Sequence, residues 1–178
     1  SAMVKLHDGR TIAVDGSLAV DPDVDLAALC VPPLGVPALT FARGPSPDPG
    51  TRVLVIGSPL GLDGTVTDGL VSAVREAENR LQISAPISPG SSGSPVFSFR
   101  GEVLGVAVSV VQEAQALNFA IPAASALRLL ASAGHQVRPL DFSEAERRWA
   151  RFLADCDTAL AAAKFKRALY ALSLVDGD

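Results

Sequence analysis

The tightest constraint in this 178-residue sequence is a strand-and-turn rhythm between residues 51 and 122. Apolar, β-branched runs recur at 52–56, 66–74, 80–87, 95–99, 102–111 and 117–121, separated by Gly, Pro, Asn and Asp clusters. Short runs spaced by about 8–12 residues are the pattern of sandwiches and barrels, and about six strands suffice to close a small antiparallel barrel. Just upstream, Gly44-Pro45-Ser46-Pro47-Asp48-Pro49-Gly50 admits neither a helix nor a central strand and reads as a linker, 44–50. Residues 1–43 carry shorter apolar stretches, Thr11-Ile12-Ala13-Val14 and Leu26-Ala27-Ala28-Leu29-Cys30-Val31, broken by Asp-Gly and Asp-Pro turns. These predict hairpins, but too few strands for a second closed barrel.

After Pro122 the texture changes. Residues 123–133 are Ala/Leu-rich and run up to Gly134, which predicts a helix with a glycine stop and a barrel unit over 51–133. Asp141-Phe142-Ser143-Glu144 offers helix-start chemistry, and Ala145, Trp149, Phe152, Leu153, Cys156 and Leu160 then recur at the spacing of one helix face. Residues 161–174 predict a second helix, with Phe165, Leu169 and Leu172 on a face, so 141–178 is expected to be a helical appendage. The fold class is therefore all-β dominated, with C-terminal α-helices.

Composition excludes some functions. A net charge of −4 argues against nucleic acid or an anionic membrane as partner, and 48% hydrophobic residues are ample for a packed core. No stretch approaches the roughly 18 consecutive apolar residues of a membrane span. Cys30 and Cys156 stand far apart in apolar contexts and outside any metal-ligand spacing, which predicts buried free thiols, no metal and no cofactor. The opening Ser1-Ala2-Met3 looks like a cloning remnant joined to an internal start, so the compartment stays open on these grounds.

Chemistry concentrates in Ile87-Ser88-Pro89-Gly90-Ser91-Ser92-Gly93-Ser94-Pro95-Val96. A serine between glycines on a tight loop, just before a strand, keeps its Oγ uncrowded. Glycine at 90 allows its own N–H to join that of Ser92 in an oxyanion hole, where each lost donor costs about 3–4 kcal/mol of transition-state stabilisation in a related setting. A plain small-residue turn between two strands is the competing reading of the loop taken alone.

Four further segments change that balance. Val55-Ile56-Gly57-Ser58-Pro59-Leu60-Gly61-Leu62 and Thr65-Val66-Thr67-Asp68-Gly69-Leu70-Val71-Ser72-Ala73 precede the loop; Gly101-Glu102-Val103-Leu104-Gly105-Val106 and Asn118-Phe119-Ala120-Ile121-Pro122 follow it. In this order, over about residues 4–133, they resemble the trypsin-like serine peptidases of HtrA type. The resemblance implies a chymotrypsin-like double β-barrel whose N-terminal barrel is incomplete here. It implies Ser92 as nucleophile, Gly90 and Ser92 as oxyanion donors, and a polypeptide substrate. Asp21-Pro22-Asp23-Val24-Asp25-Leu26-Ala27 fits the family's aspartate pattern and assigns Asp25 as the residue that orients the catalytic histidine. A turn of solvated acids is the alternative for that stretch. The strand holding Val106, Ala107 and Val108 is expected to line the primary substrate pocket, which contains no evident acid and so suits small or aliphatic side chains. An extracytoplasmic, periplasmic setting is also implied.

The pattern breaks at the base. The family's histidine lies upstream of its aspartate in an Ala-Ala-His-like context, whereas the two histidines here are His7 and His135. His7 sits in Leu6-His7-Asp8-Gly9-Arg10, which reads as a solvent-facing turn, and His135 follows the closing helix at the wrong end of the fold. The expectation is a fragment of a longer protease, truncated before its histidine and inactive as it stands. The alternative is a non-catalytic relative that binds peptides or proteins. The intact serine loop and Asp25 favour the fragment, since neither gains anything without a base. Ser91 and Ser94 also depart from the family's usual residues but stay small. No PDZ-like sequence follows; the C-terminal helices weakly resemble the start of a tetratricopeptide array, or form a hairpin, and could meet a protein partner or serve an oligomer.

Overall fold

The structure is a computed structural model that describes residues 2–6, 8–57, 64–88, 90–108, 118–134 and 136–140. Among the described residues, ten strands and one helix follow in order: β1 Met3–Lys5, β2 Thr11–Ala13, β3 Gly16–Asp21, β4 Leu26–Cys30, β5 Arg52–Gly57, β6 Thr65–Arg75, β7 Arg80–Ile83, β8 Pro95–Ser98, β9 Val103–Val108, β10 Asn118–Pro122 and α1 Ala123–Ser132. β1–β2 and β3–β4 are two-stranded sheets, while β5 to β10 form a closed barrel in the order β10-β7-β6-β5-β8-β9. The all-β reading holds, and each of the six apolar runs supplies one barrel strand. The helices expected over 141–178 lie outside the described residues, as does Cys156. None of the described helices is long and apolar enough to cross a membrane.

The chain divides into two compact units, Ser1–Leu18 with Leu29–Leu34 and Gly134–Asp178, and Ala19–Ala28 with Gly35–Ala133. In the first, the Asp8 carboxylate accepts from Arg10 N–H at 3.0 Å and pairs with its guanidinium at 2.7 Å, which ties the β1–β2 turn. Ser17 and Arg138 form an isolated antiparallel bridge in the same unit.

The barrel, in the second unit, is closed by β10, which pairs antiparallel with β9 on one side and β7 on the other. Alternation decides its core. Val53 and Val55 on β5 face inward, as do Val71, Leu81, Ile83, Val96, Ala107 and Ala120, and all of them are buried. Each fully buried Val, Leu or Ile contributes about 1.5–3 kcal/mol over an exposed one. Where two backbones come together, only glycine fits: a Cβ on Gly105 would lie 2.6 Å from Ile121 O and 3.3 Å from Ala120 Cβ. The β6–β7 ladder shifts register between Val71 and Ala73, a bulge that adds local twist.

Helix α1 packs on β9 and β10 and buries Ala123, Ser125, Ala126 and Leu129. It does not end on a glycine stop. Ala133 is the cap, extended at φ −64 and ψ 125, with its N–H on Leu130 O at 3.3 Å, so the chain leaves without the left-handed residue a Gly134 stop requires. Cys30 is free but only half-buried, because β4 belongs to a two-stranded sheet that covers alternate residues incompletely.

Gly105→Ala should therefore cost about 1–3 kcal/mol of stability by overpacking the barrel. Gly134→Ala, whose added Cβ meets nothing nearer than Gln136 N at 3.9 Å, should change it by less than about 0.5 kcal/mol. Urea unfolding of the two variants measures the contrast.

Candidate active site

The serine loop is two turns in tandem. Ser91 N–H donates to Ser88 O at 2.9 Å, and Ser94 N–H donates to Ser91 O at 3.1 Å. The third residue of the first turn is Gly90, at φ 94, and of the second Gly93, at φ 88. Positive φ at that place is what a side chain resists, so glycine is needed on both flanks of Ser91-Ser92. β9 then fixes the loop: Gly93 N–H donates to Ala107 O at 2.9 Å, and Ala107 N–H donates to Ser94 O at 2.8 Å. Ser91 is buried and Ser92 exposed, so the tandem turn sends one serine inward and the next outward.

The three acids of the β3–β4 turn separate by role. Asp21 Oδ1 accepts from the N–H of Asp23 and of Val24, each at 3.2 Å, and so closes the turn. Asp25 follows with φ 65, a left-handed state that Asp tolerates better than most side chains and that marks stored strain.

Asp25 and Ser92 line one cavity of about 470 Å³, together with Gly93, Val106, Ala107 and Val108. Gly90 is not among the residues lining it. Within β9, Val106 and Val108 are half-buried while the Ala107 side chain belongs to the barrel core, so the two valines give this wall its character. Sequence reasoning missed the rest of the lining, chiefly Phe41, Leu129 and Leu130. Phe41 reaches it through an isolated parallel bridge to Val103, in which Val103 N–H donates to Thr40 O at 2.8 Å and Ala42 N–H donates to Val103 O at 2.9 Å. Such a bridge leaves no periodic signal. The buried face of α1 was legible, and its Leu129 was the available clue. His7 and His135 lie outside the described residues. No cluster of His, Cys, Asp or Glu among the described residues is arranged to hold a metal ion.

A family model described as the trypsin-like peptidase domain matches residues 2–106. This chain belongs to the trypsin-like peptidase family. The relatives of this trypsin-like domain are of HtrA type. A putative serine protease, HhoB, of a Synechocystis species is 35% identical over 130 residues, which is 67% of this chain and 31% of that protein. A probable periplasmic serine endoprotease, DegP-like, of Chlamydia trachomatis is 34% identical over 137 residues, 71% of this chain and 27% of that protein. Among solved structures, the HtrA-type protease AlgW with a tripeptide superposes with a TM-score of 0.67 at 33% identity, covering 73% of this chain and 46% of that one. The trypsin-like domain thus spans roughly a third or less of the length of these curated relatives.

Strain at Asp25 has a measurable consequence. Asp25→Gly should raise stability by about 1 kcal/mol, because glycine adopts the left-handed state freely, and Asp25→Leu should lower it by a similar amount. Urea unfolding of both variants checks this. A destabilised Asp25→Gly protein would instead show that the carboxylate holds the turn together.

Proposed function

We propose that this chain is the aspartate- and serine-bearing part of an HtrA-type serine endopeptidase that hydrolyses polypeptides through an acyl-Ser92 intermediate. The observation that carries the reading is the shared cavity: Asp25, Ser92 and an apolar β9 wall meet in one concavity. In the proposed reaction an imidazole stands between the two side chains. It takes the Ser92 hydroxyl proton as Oγ attacks the substrate carbonyl, while Asp25 accepts its Nδ1–H and stabilises the imidazolium that forms. The backbone N–H groups of Gly90 and Ser92 receive the developing oxyanion. The imidazolium then gives its proton to the leaving amine, and water releases the acyl group by the same route.

The base in this proposal is a histidine of the parent polypeptide, because the family's Ala-Ala-His-like segment has no counterpart in this sequence. Asp25 is the only charged residue among the described residues lining the cavity, and it belongs to the proton relay. The remaining wall, with Val106, Val108, Phe41 and Leu129, suits a small or aliphatic side chain before the scissile bond. The periplasmic naming of relatives supports an extracytoplasmic setting, and tripeptide and decapeptide complexes of AlgW support a polypeptide substrate. Contacts with a protein partner through residues 141–178, and self-assembly, belong to the same proposal.

Loss of the histidine costs a serine protease roughly six orders of magnitude in turnover, so the 178-residue chain alone should show negligible cleavage of unfolded casein. The polypeptide extended upstream should cleave it and take a fluorophosphonate label at Ser92, and Ser92→Ala should abolish both. Equal cleavage by the Ser92→Ala protein removes the assignment. An extended protein that binds peptides but is neither labelled nor active supports a binding module instead.

A further inference from the structure

A second, smaller cavity lies beside the serine loop. It measures about 50 Å³ and is lined by Val55 and Gly57 of β5, Thr65 and Thr67 of β6, and Pro86, Ser88 and Ser91. Four of these seven described residues carry hydroxyls, at the end of a barrel whose described core is otherwise aliphatic. The loop is drawn close to β5 here: a Cβ added to Gly57 would lie 3.3 Å from Ser94 Cβ and 3.8 Å from Ser91 Oγ. Ser91 is only 5% exposed, so its hydroxyl has little access to bulk solvent.

We propose that this cavity is a binding site for an ordered water, and that through it Ser91 acts as a positioning residue for the loop carrying Ser92. Size permits it, since a water occupies about 30 Å³ of liquid and a buried site needs room for little more than one probe sphere. Chemistry selects it over an apolar filler. Thr67 Oγ1 donates its single hydrogen to Pro86 O at 2.9 Å, which leaves the oxygen as an acceptor. Ser88 O accepts from Ser91 N–H and keeps a second lone pair. Ser91 Oγ both donates and accepts. A water with these partners makes the two to four bonds a buried water requires, and it joins the loop to β6 where no direct bond between Ser91 and Thr67 is formed. The loop is then held from two sides, by Ala107 on β9 and by the water on β6.

The consequence for Ser92 rests on its reading as the nucleophile; the test does not. A crystal structure of the chain should show a solvent peak within about 2.7–3.2 Å of both Ser91 Oγ and Thr67 Oγ1. Ser91→Ala should lower hydrogen-exchange protection of the Gly93 and Ser94 amides about tenfold and leave the Val55 and Val71 amides unchanged. Ser91→Asn, whose carboxamide fills the cavity, should restore loop protection and abolish the peak. Thr67→Val, altering the opposite wall, should reproduce the loss and covers the case in which a Ser91 variant does not fold. No peak bonded to both hydroxyls, unchanged loop protection, or an equal loss across loop and barrel overturns the proposal. Fluorophosphonate labelling of the upstream-extended protein decides the peptidase reading separately.

Discussion

Two backbone hydrogen bonds between residues 93–94 and Ala107 hold the serine loop in place. A loop of serine, glycine and proline has little side-chain surface to bury, so its conformation must come from what it is tied to. Here it is tied to β9, a strand paired on both sides within a closed barrel. Closure removes the free edge at which a sheet would fray, and buried Val53, Val96 and Ala120 make the wall stiff. The barrel thus supplies what the loop cannot, a fixed frame for the exposed Ser92.

The aspartate is placed by a different device. Asp21 closes the β3–β4 turn through two amides, and the chain then passes through a left-handed Asp25 before β4 begins. Of the three acids, Asp21 is committed to the fold and Asp25 is left at the cavity. A left-handed Asp is costly relative to glycine, and here it lines the cavity that also holds Ser92.

Much of this was legible from residue order, for physical reasons. Barrel strands announce themselves as short apolar, β-branched runs cut by turn residues, and all six runs did so. Their ends were less legible. The run over 80–87 narrows to Arg80–Ile83: Ser84 N–H still reaches Leu70 O, but beyond it the backbone is held by side chains, with Asn118 donating to Ala85 O and Thr67 to Pro86 O. The bulge between Val71 and Ala73 preserves apolar composition and so cannot be read in advance. Phe41 was invisible as a cavity wall, since its position depends on a bridge to a residue some sixty places downstream. The serine loop and the aspartate pattern, by contrast, are local, and local chemistry is what a sequence records most directly.

The helix that follows β10 shows how the cavity wall gains rigidity. Leu129 and Leu130 can define a wall only if α1 keeps its rotation, and aliphatic packing alone tolerates small rotations. A polar network fixes it. The Asn79 carboxamide donates to Ser125 Oγ at 2.9 Å and accepts back at 3.1 Å, while Arg128 donates to the same hydroxyl at 2.8 Å. Ser125 is buried, so a rotation that breaks its bond to Asn79 Oδ1 leaves the hydroxyl hydrogen without an acceptor and away from water, a penalty of about 1–3 kcal/mol that aliphatic slippage does not incur. Asn79 itself sits at φ 51, a left-handed state that closes the β6–β7 turn and aims its side chain at the helix. A left-handed turn residue thereby ties the rotation of a helix, and the helix lines the cavity that also holds Ser92.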